Sequence, residues 1–145
     1  TPTFIFKALH QQPLPLENNG IATRDFIYVD DVVAGLIACA LQGKAGGVYN
    51  IASGVETSIC DLAVIINEIS GNETDIERRP SRLWDRSGKR HGDTTKSENE
   101  LGFKAQVSLP MGLEKTIQWT KENMETIKRC MQMHTRYVPE LKIYF

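Results

Sequence analysis

Apolar positions along this chain fall into stripes at helical spacing, separated by short stretches rich in β-formers. Thr1 and Pro2 suit an N-cap and a first helical position, and Phe4, Ile5, Ala8 and Leu9 make an immediate apolar stripe. A first helix is therefore predicted from Pro2 to about Gln11. Pro13-Leu14-Pro15-Leu16 then follows an extended path, its leucines alternating against something apolar. Glu17-Asn18-Asn19-Gly20 is a turn of residues that tolerate left-handed backbone, which makes Leu14–Leu16 and Ile21–Val29 expected neighbours in a sheet. Phe26-Ile27-Tyr28-Val29 reads as a buried strand. Asp30 or Asp31 then offers a carboxylate to the free amides of a helix with Val33, Leu36, Ile37, Ala40 and Leu41 on one face.

That helix is expected to end near Gln42-Gly43, and Val48-Tyr49-Asn50-Ile51-Ala52 to form a short strand. Ser58-x-x-Asp61 is a capping signature ahead of Ile59, Leu62, Ala63, Ile66 and Ile69, and Ser70-Gly71-Asn72 stops the helix. From Thr74 to Gly92 there is no helical stripe. Thr95-x-x-Glu98 reads as a further capping box, with Gly102 as terminator. Ser108 caps a longer helix with Pro110 in its first turn; Leu113, Ile117, Thr120 and Met124 share one face, and the helix is expected to reach Cys130. Residues 133–145 have no clear periodicity and read as a tail. Strands alternate with helices, so the predicted class is α/β.

Length and charge narrow the picture only a little. The 145 residues suffice for one compact domain or one lobe of something larger, and a net charge of −1 indicates neither disorder nor polyanion binding overall. No apolar run approaches membrane-spanning length. A chain that opens directly in a helix, with no leader, is expected to be a piece of a longer protein. Cys39, Cys60 and Cys130 are scattered, as are His10, His91 and His134, so neither disulfides nor a metal centre are expected. Reduced packing cysteines point to a cytoplasmic protein.

Candidate chemistry concentrates in two places. Between positions 78 and 90 stand five arginines and one lysine against a single acid, Asp85. Pro80 and Gly88 argue against a helix there, and an irregular loop holding several guanidiniums is a form suited to gripping phosphate. Each well-formed charge-assisted bond would contribute roughly 1.5–3 kcal/mol. Trp84 stacks on a base or sugar, or anchors the loop. A solvated basic face is the plain alternative. RNA is disfavoured, because no platform of interleaved aromatics accompanies the charge. The second place is Arg24, whose fork can take two phosphate oxygens or make a structural ion pair. Gly43-Lys44-Ala45-Gly46-Gly47 follows a helix, the reverse of a dinucleotide loop, and reads as a turn. No Tyr-x-x-x-Lys pair or G-x-S-x-G elbow occurs.

Four blocks then occur in order: Arg24-Asp-Phe-Ile-Tyr-Val-Asp-Asp31, Gly47-Val-Tyr-Asn-Ile-Ala-Ser-Gly54, Asp93-Thr-Thr-Lys96 with Glu100-Leu-Gly-Phe103, and Gly112-Leu-Glu-Lys-Thr-Ile-Gln-Trp119. Together they resemble the C-terminal part of extended short-chain dehydrogenase/reductases, the NAD-dependent nucleotide-sugar epimerases, dehydratases and decarboxylases, with UDP-glucose 4-epimerase the best-known relative. The resemblance implies a nucleotide-sugar-binding lobe over residues 1–132, with 133–145 outside the match. It places a diphosphate on Arg24, the nucleotide near Phe26, and the base against the backbone of Leu14 to Leu16. A second diphosphate arginine is implied among Arg79, Arg82, Arg86 and Arg90, with Arg86 and Arg90 together favoured. NAD would be bound by an upstream domain, and no cofactor is expected on this chain alone, which lacks the family's catalytic groups. The implied ligand is a nucleotide-diphosphate sugar, with no nucleic acid or membrane partner, and the parent enzyme is expected to be a homodimer. A 4-epimerase-like parent is the first expectation. The alternatives are a 4,6-dehydratase or decarboxylase, and a non-catalytic nucleotide-sugar-binding or protein-interaction module.

Overall fold

The computed structural model describes residues 1–81 and 88–134. Its elements run in the order α1 (Pro2–Leu9), β1 (Leu14–Glu17), a left-handed turn over Asn18–Gly20, β2 (Thr23–Asp25), α2 (Val29–Gln42), β3 (Glu56–Ser58), α3 (Ile59–Ser70), β4 (Ile76–Arg79), α4 (Thr95–Leu101), α5 (Leu109–Glu122) and α6 (Met124–His134). The fold is α/β, as the alternation predicts.

One core holds the molecule together. Ile5 and Ala8 of α1, Leu14 and Leu16 of β1, Leu62, Ala63 and Ile66 of α3, and Leu113 and Ile117 of α5 form a single buried cluster. These are apolar positions of the predicted stripes, and their spacing puts them on one face of each element. Ser58 caps α3 as its signature says: its hydroxyl accepts from the Asp61 amide at 2.9 Å and donates to the Asp61 carboxylate at 2.6 Å. Gly71 closes the same helix in left-handed backbone, φ +67°.

Strand pairing departs from expectation. β1 pairs in parallel with β4, Leu14 opposite Ile76, while β2 pairs antiparallel with β3, Thr23 opposite Ser58. The neighbouring of Leu14–Leu16 with Ile21–Val29 is thus not found. The left-handed turn over Asn18–Gly20 separates β1 and β2 without pairing them, so each finds a partner distant in sequence. β4 itself, Ile-Glu-Arg-Arg, was hidden because only Ile76 is apolar.

The stretch read as a buried strand, Phe26 to Val29, is not one. β2 ends at Asp25, and Val29 already opens α2. Neither Asp30 nor Asp31 caps that helix; Tyr28 occupies the N-cap position without a side-chain bond. The Asp31 carboxylate instead turns inward and accepts the amides of Gln106 and Val107 at 3.1 and 2.9 Å. The apolar face of α2 stays outside, with Val33 49%, Leu36 59%, Ile37 54% and Leu41 79% exposed. Its contact face is the one through Asp31 and Gly35, where a Cβ on Gly35 would stand 2.5 Å from Ile51 Cγ2 and 3.2 Å from the Phe103 ring. Residues 48–52 form no strand, and Val48 is 80% exposed. Thr94 rather than Thr95 holds the N-cap position of α4, without a side-chain bond to the backbone amides, and its hydroxyl donates to Glu98 Oε1 at 2.7 Å. The predicted long C-terminal helix is two, α5 and α6, broken at Asn123 (φ −108°, ψ 14°).

Candidate functional site

The site is built on β2, three residues long and pinned on every side. Thr23, Arg24 and Asp25 lie opposite Ser58, Thr57 and Glu56 of β3. The Thr23 hydroxyl donates to Glu56 Oε1 at 2.6 Å, and that bond holds the Glu56 carboxyl below its usual range, with Lys89 and His91 adding to the effect. The Thr23 amide donates to the Gly88 carbonyl at 3.2 Å. Arg24 reaches the same carbonyl: its Nη1 donates to Gly88 O at 3.1 Å and to Thr23 O at 2.6 Å. Gly88, within the arginine-rich stretch of the sequence, therefore lies directly against Arg24.

Asp25 ties together the rest. Its Oδ1 accepts the Ser53 amide at 2.8 Å and the Ser53 hydroxyl at 2.6 Å. Its Oδ2 accepts the amides of Gly54 at 2.9 Å and Gly92 at 3.2 Å. Burial alone would raise this carboxyl, but the bonds from the Ser53 side chain and from the amides of Ser53, Gly92 and Gly54 outweigh it. The group ionises below the ordinary aspartate value. Asn50 Nδ2 donates to Asp93 O at 3.0 Å, extending the seam by one residue. Asp93 in turn accepts the Thr95 amide at 2.9 Å, and its bonds to Thr95 lower its carboxyl too.

The other expected site residues are placed as follows. Arg90 is exposed and makes no hydrogen bond or ion pair with the described residues. Arg79 sits on β4 with its Nη2 2.8 Å from Glu77 Oε2. Leu14 and Leu16 are fully buried core residues, backbone included, and of that stretch only Pro15 is partly exposed. Phe26 is half-buried, packs on the edge of the core, and with Ser53, Thr57 and Val107 lines a cavity of about 480 Å³. Arg82, Trp84 and Arg86 lie outside the described residues. Sequence reasoning missed Asp25, whose four donors lie 28 to 67 residues away, so no local spacing betrays it. A second cavity, about 540 Å³ between α1, α5 and α6, is apolar and shares no lining residue with the β2 site.

The chain's first 52 residues match the model of the NAD dependent epimerase/dehydratase family. Among solved structures, the Bordetella bronchiseptica enzyme WbmF in complex with NAD+ and UDP is 57% identical, with a TM-score of 0.84 over 96% of this chain and 41% of that one. A UDP-glucose 4-epimerase of Thermotoga maritima, with UDP-glucose, is 30% identical, with a TM-score of 0.79 over 84% of this chain and 39% of that one. A probable dTDP-glucose 4,6-dehydratase of Sinorhizobium fredii is 34% identical over 84% of this chain and 37% of its own length. The chain belongs to the NAD-dependent epimerase/dehydratase family. It spans about two fifths of the length of these relatives.

For this family member the glycines bear on the cofactor. Gly43, Gly46 and Gly47 lie after the end of α2 and lead into an irregular segment. A pyrophosphate cradle needs a strand before the glycines and a helix after them, so these residues do not fit one. Among the described residues no helix is long and apolar enough to cross a membrane.

Proposed function

We propose that this chain is the nucleotide-sugar-binding part of an NAD-dependent nucleotide-sugar epimerase, acting at the sugar's C4. The observation that carries the reading is the shared Gly88 carbonyl, which brings Gly88, two residues before Arg90, onto Arg24. Two cationic segments meeting at one strand suit a diphosphate, since a planar guanidinium offers paired donors to phosphate oxygens. Arg24 and Arg90, with Arg86, would hold the diphosphate, and Phe26 would lie near the nucleotide; of the Leu14–Leu16 stretch only Pro15 is exposed enough to meet the base. Likeness to WbmF with UDP and to a UDP-glucose epimerase favours a uridine nucleotide. The dTDP-glucose dehydratases at 30–34% identity favour a second reading, a 4,6-dehydratase with a thymidine nucleotide.

In either case the remaining length of the family's proteins would supply NAD, the catalytic groups and any dimer contact. The exposed face of α2 and the unpaired 48–52 segment would be the side on which that part docks. Hydride transfer to and from the sugar is the chemistry NAD supplies when bound there, and the residues of this chain only bind and orient.

Titration calorimetry with UDP tests the reading. Arg24→Ala is expected to weaken binding by about tenfold or more, the loss of one charged hydrogen-bonding partner. Arg24→Lys should restore only part, because a point charge lacks the fork. Equal affinities for wild type, Arg24→Ala, Arg86→Ala and Arg90→Ala would sink it. Tighter binding of dTDP than UDP would favour the dehydratase reading.

A further inference from the structure

We propose that Asp25 is the positioning residue of this anion site: its carboxylate fixes one end of the Gly88–Gly92 span and thereby sets where Arg90 stands. The inference rests on the diphosphate reading above, and it assigns a role to a residue that need not touch the ligand.

Neighbouring residues of β2 direct their side chains to opposite faces, yet Arg24 and Asp25 hold the same span. Gly88 O receives the Thr23 amide and Arg24 Nη1, and Gly92 N donates to Asp25 Oδ2 at 3.2 Å. Both ends of the span are tied to this short strand, and Arg90 is its exposed midpoint.

Asp25 is suited to be the tie. Its two oxygens accept four donors, so the Ser53-Gly54 turn and Gly92 are locked to a single point. Their combined effect keeps the group ionised, and a carboxylate bonded by several amides is stronger than neutral pairs. The fit behind Gly92 is close: a Cβ there would stand 2.6 Å from Ala52 Cβ, so only glycine lets the span lie against residues 50–54. Among the described residues the Arg90 side chain has no hydrogen-bond or ion-pair partner, so among them its placement is set by the backbone on either side. Its placement comes from the ties at 88 and 92.

The test uses the full 145-residue chain. Asp25→Asn keeps the size but leaves one acceptor oxygen for four donors and turns an NH2 toward amides. It is expected to weaken UDP binding by about tenfold. In an Arg90→Ala background the same substitution should change affinity by no more than about twofold, because a residue acting through Arg90 has nothing left to act on. Gly92→Ala, which shifts the span while leaving the Asp25 side chain unchanged, should reproduce both results and serves if Asp25→Asn does not fold. Losses that multiply in the double variant would overturn the proposal, since general loosening of the fold is indifferent to Arg90. Trypsin with mass spectrometry separates this from the ligand question. Faster cleavage after Lys89 and Arg90 in Asp25→Asn, or in Gly92→Ala, sustains the tie even if wild type binds no UDP, in which case the diphosphate reading alone fails. Unchanged cleavage there overturns the tie.

Discussion

Helices α2 and α3 carry the same kind of signal and meet opposite fates. Each has branched and aliphatic residues at helical spacing, and each follows a short strand. In α3 that stripe is the heart of the core, with Leu62, Ala63 and Ile66 buried against α1, β1 and α5. In α2 the stripe faces away, and the helix is held by a buried carboxylate and a glycine instead. An apolar face records that something covers it, not that the covering surface belongs to the same piece of chain. Under the reading proposed above, the remaining length of the family's proteins would cover α2.

The contrast can be broken most forcefully in the core. Ile66→Ala should cost about 2–5 kcal/mol, transfer plus cavity, measured by urea unfolding. A value under about 1 kcal/mol would mean the cluster is not the core. Next comes the polar anchor of α2. Asp31→Ala strands the amides of Gln106 and Val107, with an expected loss of about 1–3 kcal/mol. Unchanged stability would show that α2 is not held by this carboxylate.

Acid should act on the β2 site through Asp25. Its folded-state carboxyl lies below the ordinary value, so the native form binds the proton less readily than the unfolded chain. The stabilisation is complete above the unfolded pKa of about 3.9 and is lost as pH falls through the folded value. The stability gap between wild type and Asp25→Asn should therefore be widest near neutral pH and narrow as pH falls through the depressed folded-state value. A gap that does not vary with pH would contradict this. The smallest effect is expected on the exposed stripe. Leu36→Glu should shift the stability of this chain by no more than about 0.5 kcal/mol. In a protein carrying the rest of the family's length, the same change should weaken the union of the two parts. A large loss in the isolated chain would mean that the α2 face is covered from within.

Much of this molecule could be read from local pattern, because local pattern is what sets helices. The capping serine at 58, the glycine at 71 and the stripes of α1, α3 and α5 act over a few residues, and all appear where spacing puts them. The four blocks that identify the family are likewise contiguous. Arg24 and the arginine-rich segment stand out as charge against a neutral chain.

Pairing and convergence are of another kind. That β1 takes β4 rather than β2 depends on how α1 and α3 stack, and the 3-residue strand at Arg24 is too short to announce its limits. Asp25 carries no local signal, and is the knot for residues 53, 54 and 92. Asp31 looked like a cap, and became an interior acceptor for the chain ahead of α5. Backbone preference and side-chain periodicity act within a turn or two, so the chain's order alone settles them. A carboxylate takes whichever amides the packed elements bring within 3 Å, and only the assembled fold decides which those are.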